Sequence, residues 1–270
     1  MFIIGERING MFKVVARAIA ERDREAIADL ARRQVQAGAQ ALDINTGPTE
    51  GDPVEVMRWL VETVQEAVDV PLSIDTPKLP VLEAGLRVAR RAPIINSTTG
   101  AKDRLDAQLP LAMEHGAGLI GLTIDERGIP RNAEARAEIA LTIIARAMEA
   151  GLPPDRLYLD PIVLPVSAAQ DQSAAALAAI GLFRSLSDPA PNIVVGLSNV
   201  SQGAKDRGLV NRTYLVMAMA MGVTTAILDP FDRELMAAQR TAGLLLNQEI
   251  YAEDYLEAAK PALAGAGVSV

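Results

Sequence analysis

The chain has 270 residues, half of them hydrophobic but only 3% aromatic, with a formal net charge of −8 at pH 7 and no cysteine. That length suits one large α/β domain, and the scarcity of aromatic rings leaves Ala, Val, Ile and Leu to fill its core. Acidic residues spread along the whole sequence argue against a nucleic-acid surface, and the lack of cysteine excludes a disulfide framework, a thiolate metal site and a cysteine nucleophile.

The first strand is expected at Phe2 to Gly5. Ile27, Leu30, Ala31 and Val35 then keep the three-and-four spacing of a half-buried helix, and a second strand follows at Ala41 to Asn45. The next helix opens on Asp52 as N-cap with Pro53 in its first position, and Met57, Leu60, Val61, Val64 and Val68 mark its inner face. Further strands are expected at Leu72 to Asp75, Ile94 to Ser97, Leu119 to Thr123, Tyr158 to Asp160, Val194 to Leu197 and Ala226 to Asp229. Eight βα units without a linker predict a TIM-type (β/α)8 barrel, a single domain over residues 1–270. A doubly wound open sheet would place a glycine-rich phosphate turn after its first strand, and Gly5-Glu6-Arg7-Ile8-Asn9-Gly10 does not fit one. No apolar run reaches the roughly 20 residues of a membrane span, and Met1 to Arg7 lack a signal-peptide plan, so a soluble, cytoplasmic protein is expected.

Nearly every expected strand is apolar until its carboxyl end and then meets a hydrogen-bonding side chain: Asp43 and Asn45, Asp75, Asn96, Thr123, Asp160, Asn199, Asp229. In a closed barrel these ends share one face and would line one pocket. The plainer reading is that each merely caps the following helix, which accounts well for Thr123 and Asp229. Several Asp and Asn side chains with a single His suit recognition of a planar heterocycle better than nucleophilic attack. A pterin offers such an edge: its exocyclic amine and ring N–H donate in parallel to a carboxylate, while its carbonyl and other ring nitrogens suit an amide. Asp75 and Asp160 fit the first role and Asn96 the second.

Ile3-Ile4-Gly5-Glu6-Arg7-Ile8-Asn9-Gly10, Leu42-Asp43-Ile44-Asn45, Ile74-Asp75, Ile95-Asn96-Ser97-Thr98, Ile120-Gly121-Leu122-Thr123, Asp160-Pro161 and Gly196-Leu197-Ser198-Asn199-Val200-Ser201-Gln202 carry a resemblance. From Met1 to about Tyr251 the chain resembles the methyltetrahydrofolate:corrinoid/iron-sulfur protein methyltransferases. These are pterin-binding barrels related to dihydropteroate synthase and to the folate domain of cobalamin-dependent methionine synthase. The resemblance implies that Asp75, Asn96 and Asp160 hold the pterin, with Gly196, Ser198, Gln202 and Arg207 near the ligand. It also implies that Asn199 contacts the nitrogen bearing the methyl group, and that 5-methyltetrahydrofolate exchanges its methyl with cobalamin. Asp43 and Asn45 are read as supporting, positioning water or organising the loop at Gly47 and Pro48. For Arg207, stacking on or neutralising the folate stands against a solvated surface charge.

No bound metal is expected. The cobalamin signature Asp-x-His-x-x-Gly has Met113 in place of its Asp before His115 and Gly118, so the corrinoid is expected on a separate corrinoid (iron-sulfur) protein. The resemblance further implies a homodimer. A dihydropteroate synthase-like condensation would share the pocket but needs an anion site for pyrophosphate, and no Lys or Arg arrangement for it is evident at the strand ends. A non-catalytic folate-binding module is the third reading. His115 is expected to end a helix at the barrel bottom, while Met217, Met219, Met221 and Trp59 are expected to pack in the core.

Overall fold

A computed structural model describes residues 1–49 and 51–250. Eight parallel strands close into a barrel in chain order. They are β1 (Phe2–Asn9), β2 (Ala41–Asn45), β3 (Leu72–Asp75), β4 (Ile94–Thr99), β5 (Gly118–Leu122), β6 (Leu157–Asp160), β7 (Asn192–Gly196) and β8 (Thr225–Leu228). Around them lie α1 (Lys13–Ala20), α2 (Arg24–Gln36), α3 (Pro53–Ala67), α4 (Leu79–Val88), α5 (Lys102–Glu114), α6 (Ala133–Glu149), α7 (Val166–Phe183), α8 (Arg207–Met221) and α9 (Arg233–Leu245). Among the described residues no helix is long and apolar enough to cross a membrane. The expected domain extends to residue 270, so its last stretch lies outside the described residues.

The α3 expectations hold: Asp52 caps the helix by accepting from Val54 N, Pro53 is its first residue, and Met57, Leu60, Val61 and Val64 are fully buried. Burying a side chain of that size stabilises the fold by about 1.5–3 kcal/mol, so this one stripe anchors the helix to the sheet. His115 stands at the C-cap of α5, where the helix was expected to end. Trp59 is half-buried, with the Arg22 guanidinium 4.9 Å from its ring centre. The expectation for the α8 methionines is corrected: only Met219 is buried, while Met217 and Met221 are 48% and 38% exposed. With alternate spacing on a helix, three residues cannot share the one face that meets the barrel.

Two strands run further than expected, β1 to Asn9 and β4 to Thr99, because each contains an irregularity that a polar stretch conceals in the sequence. Between β1 and β2 the register slips from Gly5↔Leu42 to Ile8↔Ile44, so Glu6 and Arg7 stand against Asp43 alone. Between β4 and β5 it slips at Ser97. Such bulges bend a strand and re-aim its side chains.

Inside the barrel, Ile4, Ala41, Ile94, Ile120 and Val194 form an apolar plug, with Phe2, Leu122, Tyr158 and Ile227 against it. Side chains alternate along a strand, so the residue two places on faces the same interior, one layer nearer the carboxyl end. That places Glu6 after Ile4, Asp43 after Ala41, Asn96 after Ile94, Asp160 after Tyr158, Gly196 after Val194 and Asp229 after Ile227. The interior is therefore apolar at the bottom and polar at the mouth.

The rim is held by a close crossing of two loops. A Cβ on Gly10 would lie 2.1 Å from the Thr46 carbonyl oxygen, and Gly47, at φ +62°, faces the Gly10 backbone just as closely. Only glycine lets these main chains touch. Gly10→Ala is expected to cost about 1–3 kcal/mol through forced displacement of the loops, read from the chemical denaturation midpoint. An unchanged midpoint would show that the loops do not pack there.

Candidate active site

The mouth of the barrel holds two linked pairs of polar side chains. Asp43 Oδ1 accepts from Ser73 Oγ at 2.7 Å and from Asn96 Nδ2 at 3.0 Å, while Asp75 Oδ2 accepts from Asn45 Nδ2 at 2.6 Å. Asn45 is itself fixed, its Oδ1 taking the Gly47 N–H at 2.7 Å. On the far side Asp160 Oδ1 accepts from Ile162 N at 2.7 Å, and Thr123 Oγ1 donates to the Asp160 carbonyl. Ser198 Oγ donates to Glu6 Oε1 at 2.5 Å, joining the end of β7 to β1.

None of these is a helix cap. The capping side chains are Asp23, Asp52, Asn132, Asp206 and Asp232. The plainer reading of the strand ends is thereby corrected, for Thr123 and Asp229 as well. Thr123 is spent on Asp160, and Asp229 accepts from Arg7 Nη1 at 3.2 Å and from Phe231 N.

Burial governs the charges here. It pushes the Asp43 carboxyl up to about 8, helped by the neighbouring Asp75 charge and opposed by the bonds from Ser73 and Asn96. Asp75 is raised by the same desolvation, partly offset by Asn45. Two interacting carboxyls cannot both ionise cheaply, so the pair keeps a proton near neutral pH. Asp160 rises to about 7 through burial, against the Ile162 N–H and the Arg136 charge. Glu6 is raised mainly by burial too, against its bond from Ser198.

Asn199 differs from these fixed groups. It lies beyond β7 in a short 3-10 turn, Leu197–Asn199, is exposed, and its amide makes no hydrogen bond to another described residue. A Cβ on Gly196 would stand 3.1 Å from Asn199 Nδ2, so the glycine leaves room for that amide. Gln202 is exposed on the same segment, and Ser167 Oγ donates to its backbone carbonyl. Arg207 is exposed, in keeping with a surface charge, and stands against the turn that carries Asn199. Its Nε donates to Ser201 Oγ at 3.0 Å and its Nη2 to the Ser198 carbonyl at 3.2 Å, bracing the turn that carries Asn199.

Sequence reasoning passed over Glu6, Arg7 and Ser73. The signal for Glu6 was the alternation Phe2, Ile4, Glu6, which the acidic residue continues on the inner face. Arg7 lies at the mouth, where it is paired with Asp229 and sits 4.2 Å from the Phe12 ring centre. Among the described residues no cluster of His, Asp and Glu is arranged to hold a metal ion.

The arrangement is a crescent of hydrogen-bonded acceptors with an exposed, unengaged amide on one side. Residues 12–229 match the family described as pterin binding enzyme. The chain is 33% identical over 260 residues to the methylcorrinoid:tetrahydrofolate methyltransferase of Eubacterium limosum, covering 96% of each. It is 29% identical to the methionine synthase of Mycobacterium leprae, spanning 94% of this chain but 22% of that protein. Dihydropteroate synthase of Yersinia pestis superposes with a TM-score of 0.63 at 17% identity over 91% of this chain and 93% of that one, a likeness of fold. The match over most of the sequence, with an intact inner rim of Asp and Asn side chains, makes this chain a member of the pterin-binding enzyme family.

Proposed function

We propose that the chain is a methyltransferase that moves a methyl group between 5-methyltetrahydrofolate and the cobalt of a corrinoid carried by a separate protein. The observation that carries this reading is the combination of a fixed acceptor rim with one unengaged amide at its edge. Asp75, Asp160 and Asn96 present acceptors and an amide to the N–H-rich edge of a pterin, each held in place by a neighbour before the ligand arrives. The full-length similarity to a methylcorrinoid:tetrahydrofolate methyltransferase supports the choice of reaction.

Breaking the bond between the methyl carbon and a tertiary amine leaves electrons on nitrogen, so the departing nitrogen needs a proton or a hydrogen bond in the transition state. In this reading Asn199 supplies the hydrogen bond, and the proton that the nitrogen finally carries in tetrahydrofolate comes from solvent. The Asn199 amide is free to turn, Gly196 gives it room, and Ser198 and Arg207 brace the turn beneath it. Asp43 is the supporting acid, carrying a proton near neutral pH within the same rim. The nucleophile is the reduced cobalt of the partner's corrinoid, which explains why the site needs no catalytic Ser, Cys or His.

A condensation that releases pyrophosphate fits less well. Glu6, Asp43, Asp75, Asp160 and Asp229 make the mouth acidic, and the nearby Arg7 is already engaged by Asp229. A polyanion would be repelled. The corrinoid protein and a second copy of this chain are the proposed partners, in the cytoplasm. For the second copy the available face is a groove of about 450 Å³ between α7 and α8, lined by Leu177, Leu209, Val210 and Met217 and flanked by exposed Val216 and Met221. The apolar lining of the groove is what supports this choice of face.

Mixing the protein with 5-methyltetrahydrofolate and photoreduced cob(I)alamin is expected to form methylcobalamin, followed by its absorbance. A rate no faster than the enzyme-free control ends the proposal. In the same assay Asn199→Ala is expected to slow transfer by roughly 10²-fold while folate affinity changes only a few-fold. Equal losses in both would make Asn199 a binding residue.

Asp43→Asn is expected to stabilise the protein, because it imitates the protonated acid. The folded carboxyl holds its proton to a higher pH than the unfolded chain does, so the unaltered protein loses stability as pH rises from about 4 to about 8. The gain in melting temperature should therefore grow across that window and level off above it, at about 2–4 °C for each kcal/mol. A pH-independent difference would count against a shared proton. Finally, Met217→Glu is expected to convert a dimer into a monomer by light scattering, and a dimer that survives it does not use the α7–α8 face.

A further inference from the structure

The bulge in β1 sends two side chains across the mouth. Arg7 pairs with Asp229 beyond the end of β8, and Glu6 Oε1 accepts from Ser198 Oγ at 2.5 Å, just past the end of β7. The bulge is itself supported from α2: where β1 and β2 fall out of register, the Arg7 N–H donates to Oε1 of the wholly buried Gln34 at 2.9 Å. Bulges re-aim the side chains they carry, and this one turns a carboxyl towards the β7 end.

The proposed chemistry does not use Glu6. Its carboxyl is half-buried, forms no ion pair among the described residues, and has the Ser198 hydroxyl as its one hydrogen-bond donor there. Enclosing a carboxyl at that cost, which one hydroxyl does not offset, calls for a functional account. The partner supplies it, because Ser198 belongs to the turn that carries Asn199. Leu197 and Val200 seat the turn in the core, with the Val200 N–H donating to the Leu197 carbonyl at 3.1 Å. Between them Ser198 is held at two points, its hydroxyl by Glu6 of β1 and its carbonyl by Arg207 of α8. Asn199 follows directly, and with its own amide unengaged its place is set by the backbone that Ser198 anchors.

We propose that Glu6 is a positioning residue for methyl transfer: through the Ser198 hydroxyl it fixes the turn from which Asn199 meets the methyl-bearing nitrogen. The inference rests on the reading of Asn199 as the donor to that nitrogen. Arg207 ties the turn only to the helix that follows it, whereas Glu6 ties it to the barrel wall on which the acceptors for the pterin stand. A ring held by Asp75, Asn96 and Asp160 and a donor on a turn stay in register only through such a link, and a misplacement of about 1 Å can cost roughly 10²-fold in rate. The role asks Glu6 for an acceptor oxygen and not for a charge, so glutamine can fill it.

The test measures single-turnover methyl transfer from 5-methyltetrahydrofolate to photoreduced cob(I)alamin, and folate affinity by calorimetry. The variants are Glu6→Ala, Glu6→Gln, Ser198→Ala, Asn199→Ala and the last combined with either alanine change. Glu6→Ala and Ser198→Ala should each slow transfer by about tenfold while folate affinity stays within about threefold. Glu6→Gln keeps the acceptor and should restore the rate to within about threefold of the unaltered protein. In the Asn199→Ala background neither alanine change should slow transfer further, because both act through the amide already removed. Glu6→Gln as slow as Glu6→Ala, or a further tenfold loss in the double variants, overturns the inference. Should Glu6→Ala not fold, Ser198→Ala, which removes one hydroxyl, decides by the same criteria, and an unchanged rate in it is equally fatal. If the unaltered protein transfers no methyl, the reaction reading fails, and 15N relaxation of the Asn199 backbone amide, assigned by its loss in Asn199→Ala, still reports on the link. That amide should gain mobility in Ser198→Ala and stay ordered in Glu6→Gln; equal order in both overturns the positioning role.

Discussion

The cost of enclosing carboxyl groups in the mouth of a closed barrel governs the rest of this structure. Closure fixes which side chains face inward, and above the Ile4, Ala41, Ile94, Ile120 and Val194 plug the inward positions are Glu6, Asp43, Asp75, Asn96 and Asp160. A buried carboxylate without partners would be expelled or neutralised. Here each carboxyl has a donor: Ser73 and Asn96 for Asp43, Asn45 for Asp75, Ile162 N for Asp160 and Ser198 for Glu6. These donors do not fully offset burial, and the remainder appears as raised pKa values at the rim. On the proposed reading, a ligand rich in N–H groups supplies the donors that these carboxyls still lack.

The same constraint separates the groups that are already paired from the one that is not. The acceptors stand on or at the ends of strands, whose backbone is held on both sides by the ladder of the barrel. Asn199 stands past the end of β7 on a turn braced by Ser198 and Arg207, with its own amide unengaged. On the proposed reading, recognition uses groups that cannot move and chemistry uses one that can. A hydrogen bond that must strengthen during the reaction needs that freedom, whereas two parallel bonds to a flat ring need fixed geometry.

The architecture was legible in the residues because barrels of this kind repeat a simple period. Apolar strands ending in Asp or Asn, alternating with helices such as Pro53–Ala67 whose inner face follows the three-and-four spacing, leave little choice of fold. Strand limits were less legible where a bulge intervenes. Glu6-Arg7 and Ser97 look like strand ends in one dimension, and only the pairing with Asp43 and with β5 shows that β1 and β4 continue. The α8 methionines erred for a related reason, since helical spacing tells which residues share a face but not which face meets the barrel.

What the amino-acid sequence determined by itself was therefore the barrel, the identity of the polar residues at its mouth and their likeness to a pterin site, all of which depend on local pattern and residue chemistry. Only the tertiary structure decided how those residues are paired, that burial and the neighbouring Asp75 raise the Asp43 carboxyl, that Arg7 is engaged by Asp229, and that Arg136 is enclosed. Pairing and burial depend on distances between segments far apart in the chain, and electrostatic energy varies steeply with both distance and enclosure.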